Sequence, residues 1–241
     1  MDVFPKIWTR ILLLVFVFFL PWANTEDCFK FRKKQKNYVL FDVTDSELSE
    51  SAEFTLTFRT SKPDGMIFYI EGMYSTEAPY DFESLYVRDG KLNYFVFNPD
   101  STGIGRSYGI HVMTDFDVNT NEDIQVNFFR RKESTATTHD LDDVAHLARE
   151  DETPVETVFR SGFVVNGREF TTLSGTFPLD LKDNQEEQHV WIGGAFPSRK
   201  MEHFDGIIRD IVNIQSNQTL DSPDGRSLYL SCEEAESNET E

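Results

Sequence analysis

The chain has 241 residues, is 39% hydrophobic with 22 phenylalanines, and carries a formal net charge of −19. That length suits a single β-sandwich domain, and the apolar content is ample for an aromatic-rich core. A field of that sign repels nucleic acid and acidic membranes, and it favours cationic partners or, where acids cluster, metal ions.

Residues 1–25 read as a secretory signal peptide. Lys6 and Arg10 precede the apolar run Ile11–Leu20, and Pro21 and the small Ala23 follow it. The run falls short of the about 20 residues that span a bilayer. No second run of membrane length occurs in the sequence. The expectation is a secreted, extracellular chain with no membrane insertion.

Residues 26–49 read as a polar leader to the first strand. Within it Lys30, Arg32, Lys33, Lys34 and Lys36 form a basic cluster in an acidic protein. Solvation of the leader accounts for the cluster; a docking patch for an acidic partner or a sulfated sugar is the alternative. Two cysteines, Cys28 and Cys232, bracket nearly the whole secreted part. In an oxidising compartment such an isolated even pair reads as one disulfide. Closing so long a loop is worth roughly 5 kcal/mol in the chain-entropy picture. A catalytic cysteine would need a lowered pKa and a base, and nothing beside either cysteine suggests one.

Period two begins at residue 54, where Phe54, Leu56 and Phe58 alternate with Thr55, Thr57 and Arg59. Pro63-Asp64-Gly65 is a turn, and Met66–Ile70 a strand closing a hairpin. Residues 72–82 read as a polar loop. Ser84–Val87 and Leu92–Phe97 flank the turn Arg88-Asp89-Gly90-Lys91, a strong hairpin signature. Residues 98–110, with Asn98, Pro99, Asp100, Ser101 and three glycines, read as an ordered loop. Ile124, Val126 and Phe128 alternate and end at Arg130-Arg131.

Residues 132–160 break the pattern and read as a charged insertion in one hairpin. Leu141, Val144, Ala145 and Ala148 fall at helical spacing within it, which suggests a short helix over 140–149. Phe163–Val165 precedes the turn Asn166-Gly167, and Phe177, Leu179 and Leu181 alternate once more. The closing segments are Val190–Ile192, which stops at Gly193-Gly194, then Ile207–Ile214 after Phe204-Asp205-Gly206, and Leu228–Leu230. A glycine at such places marks a reversal or a close approach of two backbones. Residues 233–241 are acidic and apolar-poor, and are expected to be disordered. Short strands joined by Asp-Gly and Asn-Gly turns define an all-β fold, an antiparallel two-sheet sandwich over residues 50–232.

The sequence holds no constellation for catalysis. The five histidines, His111, His139, His146, His189 and His203, lack a His-Glu-x-x-His spacing, and there is no Gly-x-Ser-x-Gly. His139 and His146 with Asp142 and Asp143 read as solvated charge. A glycosidase on a sandwich needs two carboxylates on one strand face, and Asp180 has no acid two or four residues away within its strand. Asn217-Gln218-Thr219 and Asn238-Glu239-Thr240 are acceptor sequences for N-glycosylation.

Six blocks fall in one order: Phe54–Thr60, Pro63–Tyr69, Leu85–Leu92, Val165-Asn166-Gly167, Trp191-Ile192-Gly193-Gly194 and Phe204–Ile211. That order resembles the laminin G-like domain, also found in neurexins, agrin, perlecan and the sex-hormone-binding globulins. The resemblance implies a jelly-roll-like, concanavalin-like sandwich with its chain ends close together, which fits a Cys28–Cys232 bridge. It also implies binding of receptors, glycans or matrix proteins through loops at one rim. Many members hold a calcium ion there. By position its ligands would be Asp100 in one loop and Asp183 or Asn184 in another, completed by carbonyls and water. The chain departs from the family pattern in three places. Ile207 stands where many members have a cysteine, Glu122-Asp123-Ile124 replaces a Trp-His pair, and the 132–160 insertion is longer than usual.

The expected function is non-catalytic binding in the extracellular space: adhesion, matrix association or ligand and glycan recognition by an extracellular protein or glycan partner. The alternatives are a carbohydrate-active enzyme or lectin on the same sandwich, and a carrier of a small apolar ligand held between the sheets.

Overall fold

The computed structural model describes residues 28–43, 48, 51–71, 82–97, 110–135, 156–174, 188–195 and 202–232. In chain order the strands are β1 Cys28–Phe31, β2 Val39–Asp42, β3 Ala52–Arg59, β4 Gly65–Glu71, β5 Phe82–Arg88, β6 Lys91–Phe97 and β7 Ile110–Asp117. They continue with β8 Ile124–Thr135, β9 Glu156–Val165, β10 Arg168–Ser174, β11 His189–Ile192, β12 Gly206–Asn213, β13 Gln218–Thr219 and β14 Leu230–Ser231. A single 3-10 turn, Lys33–Gln35, links β1 to β2. No helix among the described residues is long and apolar enough to cross a membrane.

Two antiparallel sheets stack face to face. One runs β10-β9-β8-β3-β12-β1-β14, with β13 added beside β12; the other runs β2-β11-β4-β5-β6-β7. Alternation decides which side chains meet between them. Phe54, Leu56 and Phe58 of β3 face Phe68 and Ile70 of β4 and Tyr94 and Val96 of β6 in one continuous core. Phe54, Phe68 and Phe128 form its centre, with ring centroids 4.8 to 5.6 Å apart. Such ring pairs add about 0.5–1.5 kcal/mol each to the area they bury.

The tight hairpins follow their turn residues. Asp89 (φ 51°) and Gly90 (φ 77°) are both left-handed, as are Asn166 (φ 52°) and Gly167 (φ 72°). These two-residue reversals match the twist of the flanking strands and pin the registers Arg88↔Lys91 and Val165↔Arg168.

The glycines after β11 and before β12 are there for space. A Cβ on Gly193 would lie 2.2 Å from the Phe31 ring, and one on Gly206 would lie 2.1 Å from the Arg59 carbonyl oxygen. Cys28 and Cys232 are bonded, with their Cα atoms 5.5 Å apart across a separation of 204 residues.

Four stretches differ from the sequence expectations. The 26–49 leader contains two strands, β1 and β2, whose residues Phe29, Phe31, Val39 and Phe41 are buried. Each strand is four residues long, too short for its alternation to stand out beside the lysines. The segments 110–117 and 168–174, which had no strand assigned, are β7 and β10. Finally, β8 does not end at Arg130-Arg131. It runs to Thr135, paired with β9 as far as Thr135↔Glu156. The ends of the 132–160 insertion are therefore the arms of a long hairpin. The helix expected over 140–149, the strand at Phe177–Leu181, the signal peptide and the 233–241 tail lie outside the described residues.

Candidate functional site

The strand directions sort the connections onto two rims. At one, which we call the loop rim, β4 ends at Glu71, β5 starts at Phe82, β6 ends at Phe97, β7 starts at Ile110 and β11 starts at His189. The same rim receives the start of β3 and the far arms of β8 and β9, since Ala52 pairs with Arg130. Segments 72–81 and 98–109 thus leave and re-enter the six-stranded sheet at this end, while 175–187 follows β10 of the other sheet and re-enters at β11. The other rim is closed by the short turns at 60–64, 89–90, 118–123 and 166–167.

Under the loop rim the core turns polar. Arg130 and Glu83 are 0% and 1% exposed, and Tyr94 is fully buried. Tyr94 Oη donates to Glu83 Oε1 at 2.6 Å. Arg130 Nη2 donates to the Leu48 carbonyl at 2.6 Å and lies 3.4 Å from Glu83 Oε2. Each group sits at an inward position of β5, β6 or β8, so a carboxylate, a phenol and a guanidinium meet between the sheets. Burial, then the Glu83 charge, push the Tyr94 phenol well above its ordinary pKa. Burying charge is tolerated when it is paired and hydrogen-bonded, and the network ties the segment at Leu48 to both sheets.

The outer face of the six-stranded sheet is aromatic. A transverse row runs Leu40↔Trp191↔Tyr69↔Ser84↔Phe95↔His111 across all six strands. Phe82 lies 5.7 Å from Tyr69, 5.6 Å from Phe95 and 5.3 Å from Phe97, centroid to centroid. These rings are half-buried, and Ser84 at their centre is fully covered. The polar positions of a sandwich strand ordinarily point out here, so a row of rings on this face is a feature the alternation alone did not flag.

β7 also carries an acid pair at i, i+2 that the sequence reading did not weigh. Asp115 and Asp117 are both exposed and each is held by a cation: Arg168 Nη2 at 2.8 Å and Lys91 Nζ at 2.7 Å. The Arg168 hydrogen bond holds the Asp115 carboxyl below the usual range. Glycoside cleavage needs one carboxyl of such a pair to hold a proton, and the Arg168 hydrogen bond moves Asp115 the other way.

Asp100, Asp183 and Asn184, the expected calcium ligands, lie outside the described residues, as does Asn238. Among the described residues no three His, Cys, Asp or Glu side chains gather to hold a metal ion. Asn217 stands exposed in the β12–β13 turn, at φ 51°. His111 Nε2 is 3.0 Å from Asn93 Oδ1, His203 Nδ1 is 3.3 Å from the Asn37 carbonyl, and Arg226 Nη2 meets His189 Nε2 at 2.8 Å. Those three histidines are dispersed over the molecule; His139 and His146 lie outside the described residues.

An antiparallel two-sheet sandwich whose long connections gather at one rim is the architecture of the jelly-roll recognition domains. The laminin G domain model matches residues 58–215, and the chain belongs to that family. Its members are typically binding modules in adhesion and the extracellular matrix. Domains LG4-5 of the mouse laminin alpha1 chain superpose with a TM-score of 0.59 at 17% identity, covering 86% of this chain and 46% of that one. The LG1-3 region of the laminin alpha2 chain gives a TM-score of 0.53 at 15% identity, covering 86% of this chain and 35% of that one. The chain therefore spans less than half the length of either, and the likeness is one of fold. A comparison with curated protein sequences finds no match.

Proposed function

We propose that the protein is a secreted, non-catalytic binding module that recognises an extracellular protein or glycan through the loop rim. The reading rests on one observation above all. At this rim Glu71 and Phe82, Phe97 and Ile110, and Ser174 and His189 are the strand ends between which 72–81, 98–109 and 175–187 attach to a scaffold held by a dense aromatic core and a long-range disulfide. Loops on a rigid frame are where recognition residues concentrate. Two of those segments contain Asp100 and the Asp183-Asn184 pair. A calcium ion held between them would orient the rim and supply positive charge to an anionic partner. Asn217 and Asn238 would carry N-linked glycans in the secretory pathway.

A pull-down from extracellular material, with and without a calcium chelator, tests this reading. Specific capture of a partner, lost on replacing Asp100 and Asp183 with Asn, is the expected result. Retention of all partners after deletion of 98–109 would refute recognition by the rim.

The aromatic row on the outer sheet face favours a second reading, a lectin on the same sandwich. Ring faces such as Tyr69, Phe82, Phe95 and Trp191 present electron-rich apolar surface of the kind sugar C–H groups pack on. Glycan-array binding that survives changes in the rim loops but is lost in Phe95→Ala would move recognition from the rim to this face.

A further inference from the structure

On the rim opposite the loops a small group of cations is gathered in an otherwise acidic protein. Lys30 of β1, Ile207 of β12 and Arg59 of β3 form one transverse row, through the registers Lys30↔Ile207 and Ile207↔Arg59. Their neighbours Phe29, Phe31, Phe58 and Ile208 are buried in the core, so this row faces outward. Two strand spacings separate Lys30 from Arg59, about 10 Å between Cα atoms. Ile207, half-buried, lies between them.

The row forms one wall of a cleft of about 630 Å³ that also takes in Arg32 and Lys34 from the 3-10 turn and Asn121 and Asp205 from the connections. The fold makes this possible at two points. Gly206 lets β12 start tight against the Arg59 carbonyl, where a Cβ would intrude. Ile207, half-buried, places an apolar side chain between the two cations of the row.

We propose that this cleft is a docking site for an acidic peptide segment of a partner protein, one with two carboxylates about 10 Å apart and an apolar side chain between them. Arg59 and Arg32 offer planar forks that match carboxylates, and Ile207 receives the apolar side chain. The surroundings select against a long, uniformly charged polymer. Asp205 lies inside the cleft, and Asp123, Glu202 and Asp210 stand around it. A polyanion running across this rim meets carboxylates on every side, whereas a short ligand places its charges on the cations alone. Among the contacts these cations already make, the Arg59–Asp123 pair is long, at 3.7 Å, and exposed at both ends. Such pairs hold weakly and give way to a better-placed carboxylate.

The test uses the full secreted chain with its disulfide intact and a fluorescein-labelled peptide of sequence Ser-Glu-Gly-Leu-Gly-Glu-Ser, read by fluorescence polarisation at low salt. Saturable binding is expected. It should weaken about tenfold or more in K30Q/R59Q and strongly as salt is raised, because both carboxylates are held by surface charge pairs. R59K, which keeps the charge and loses the fork, should fall between, and Lys62→Gln, outside the cleft, should bind as the parent does. Circular dichroism on each variant separates lost binding from lost folding, and substitutions at these outward-facing positions are not expected to unfold the chain. Absence of saturable binding, equal binding by K30Q/R59Q, or equal binding of a peptide with both glutamates changed to glutamine would overturn the proposal. So would a sulfated polysaccharide binding through Lys30 and Arg59 while the peptide does not.

Discussion

Tyr94 Oη donates a hydrogen bond to Glu83 Oε1 across 2.6 Å, and both side chains are sealed between the two sheets. The carboxylate is thereby shared by a neutral donor on one side and the Arg130 guanidinium on the other. Replacing Glu83 with Leu leaves the guanidinium buried beside an apolar group, and a cost of about 3–5 kcal/mol is expected. Tyr94→Phe removes one donor and should cost about 1–2 kcal/mol. Urea denaturation midpoints of the two variants check both values.

Burial of the same phenol sets how stability depends on alkaline pH. The folded phenol stays protonated well above 10, first because of burial and then because of Glu83. In the unfolded chain it ionises near its ordinary value of 10.0. The raised group contributes its full stability below pH 10, and that contribution is lost as pH climbs from there towards the folded value. Above pH 10 this one proton should give a fall of about 1.4 kcal/mol per pH unit. Denaturation curves between pH 9 and 11 should show that component in the parent and not in Tyr94→Phe. Equal slopes in both would sink the assignment.

The disulfide joins strand β1 to the end of β14 across 204 residues. Cys28→Ser with Cys232→Ser should lower stability by up to roughly 5 kcal/mol, through the entropy returned to the unfolded chain. The sheet ladders Lys30↔Leu230 and Lys30↔Ile207 do not depend on it. The far-ultraviolet circular dichroism of the double variant at low temperature should therefore still be that of a β protein, with a lower melting temperature.

Gly206 and Gly193 have no room for a side chain. Alanine at either would push a methyl into the Arg59 carbonyl or the Phe31 ring and impose an unfavourable backbone angle, φ 154° or 75°. Each substitution should destabilise by at least about 2 kcal/mol. Gly167, with the same turn geometry and open space around its Cα, should tolerate alanine far better. Comparing the three melting temperatures distinguishes close packing from turn preference.

Asn217 lies at the tip of an exposed hairpin, with Thr219 of its acceptor sequence also exposed. Expression through a secretory pathway should yield a glycan at this site, seen as a mass loss on enzymatic deglycosylation that Asn217→Gln abolishes. A protein of unmodified mass from secreting cells would remove the assignment.

What the sequence discloses follows the range of the forces involved. Asp89-Gly90 and Asn166-Gly167 are legible because left-handed backbone is a local preference, and both hairpins are where those dipeptides place them. β3 and β6 are legible because Phe54, Leu56, Phe58 and Leu92, Tyr94, Val96 alternate over a long enough run. β7 has its own alternation in Ile110, Val112 and Phe116, obscured by the glycine-rich stretch before it. β10 is an outer strand of its sheet, and its Thr171 and Thr172 give little apolar contrast. Arg130 misleads outright. A charged pair reads as the end of a strand, yet this arginine is fully buried in mid-strand, because its counter-charge comes from Glu83, 47 positions away. The Lys30–Ile207–Arg59 row is equally invisible to periodicity, since it is written across three strands distant in the chain.

That the loop rim and the cationic cleft lie at opposite ends of the strands has a mechanical meaning. A pull between molecules held at the two ends would run parallel to β3, β8 and β12, loading their ladder hydrogen bonds together in shear rather than unzipping them one by one. In that geometry the sandwich serves as a stiff coupling between two attachments, and its resistance to force is set by how many rungs share the load.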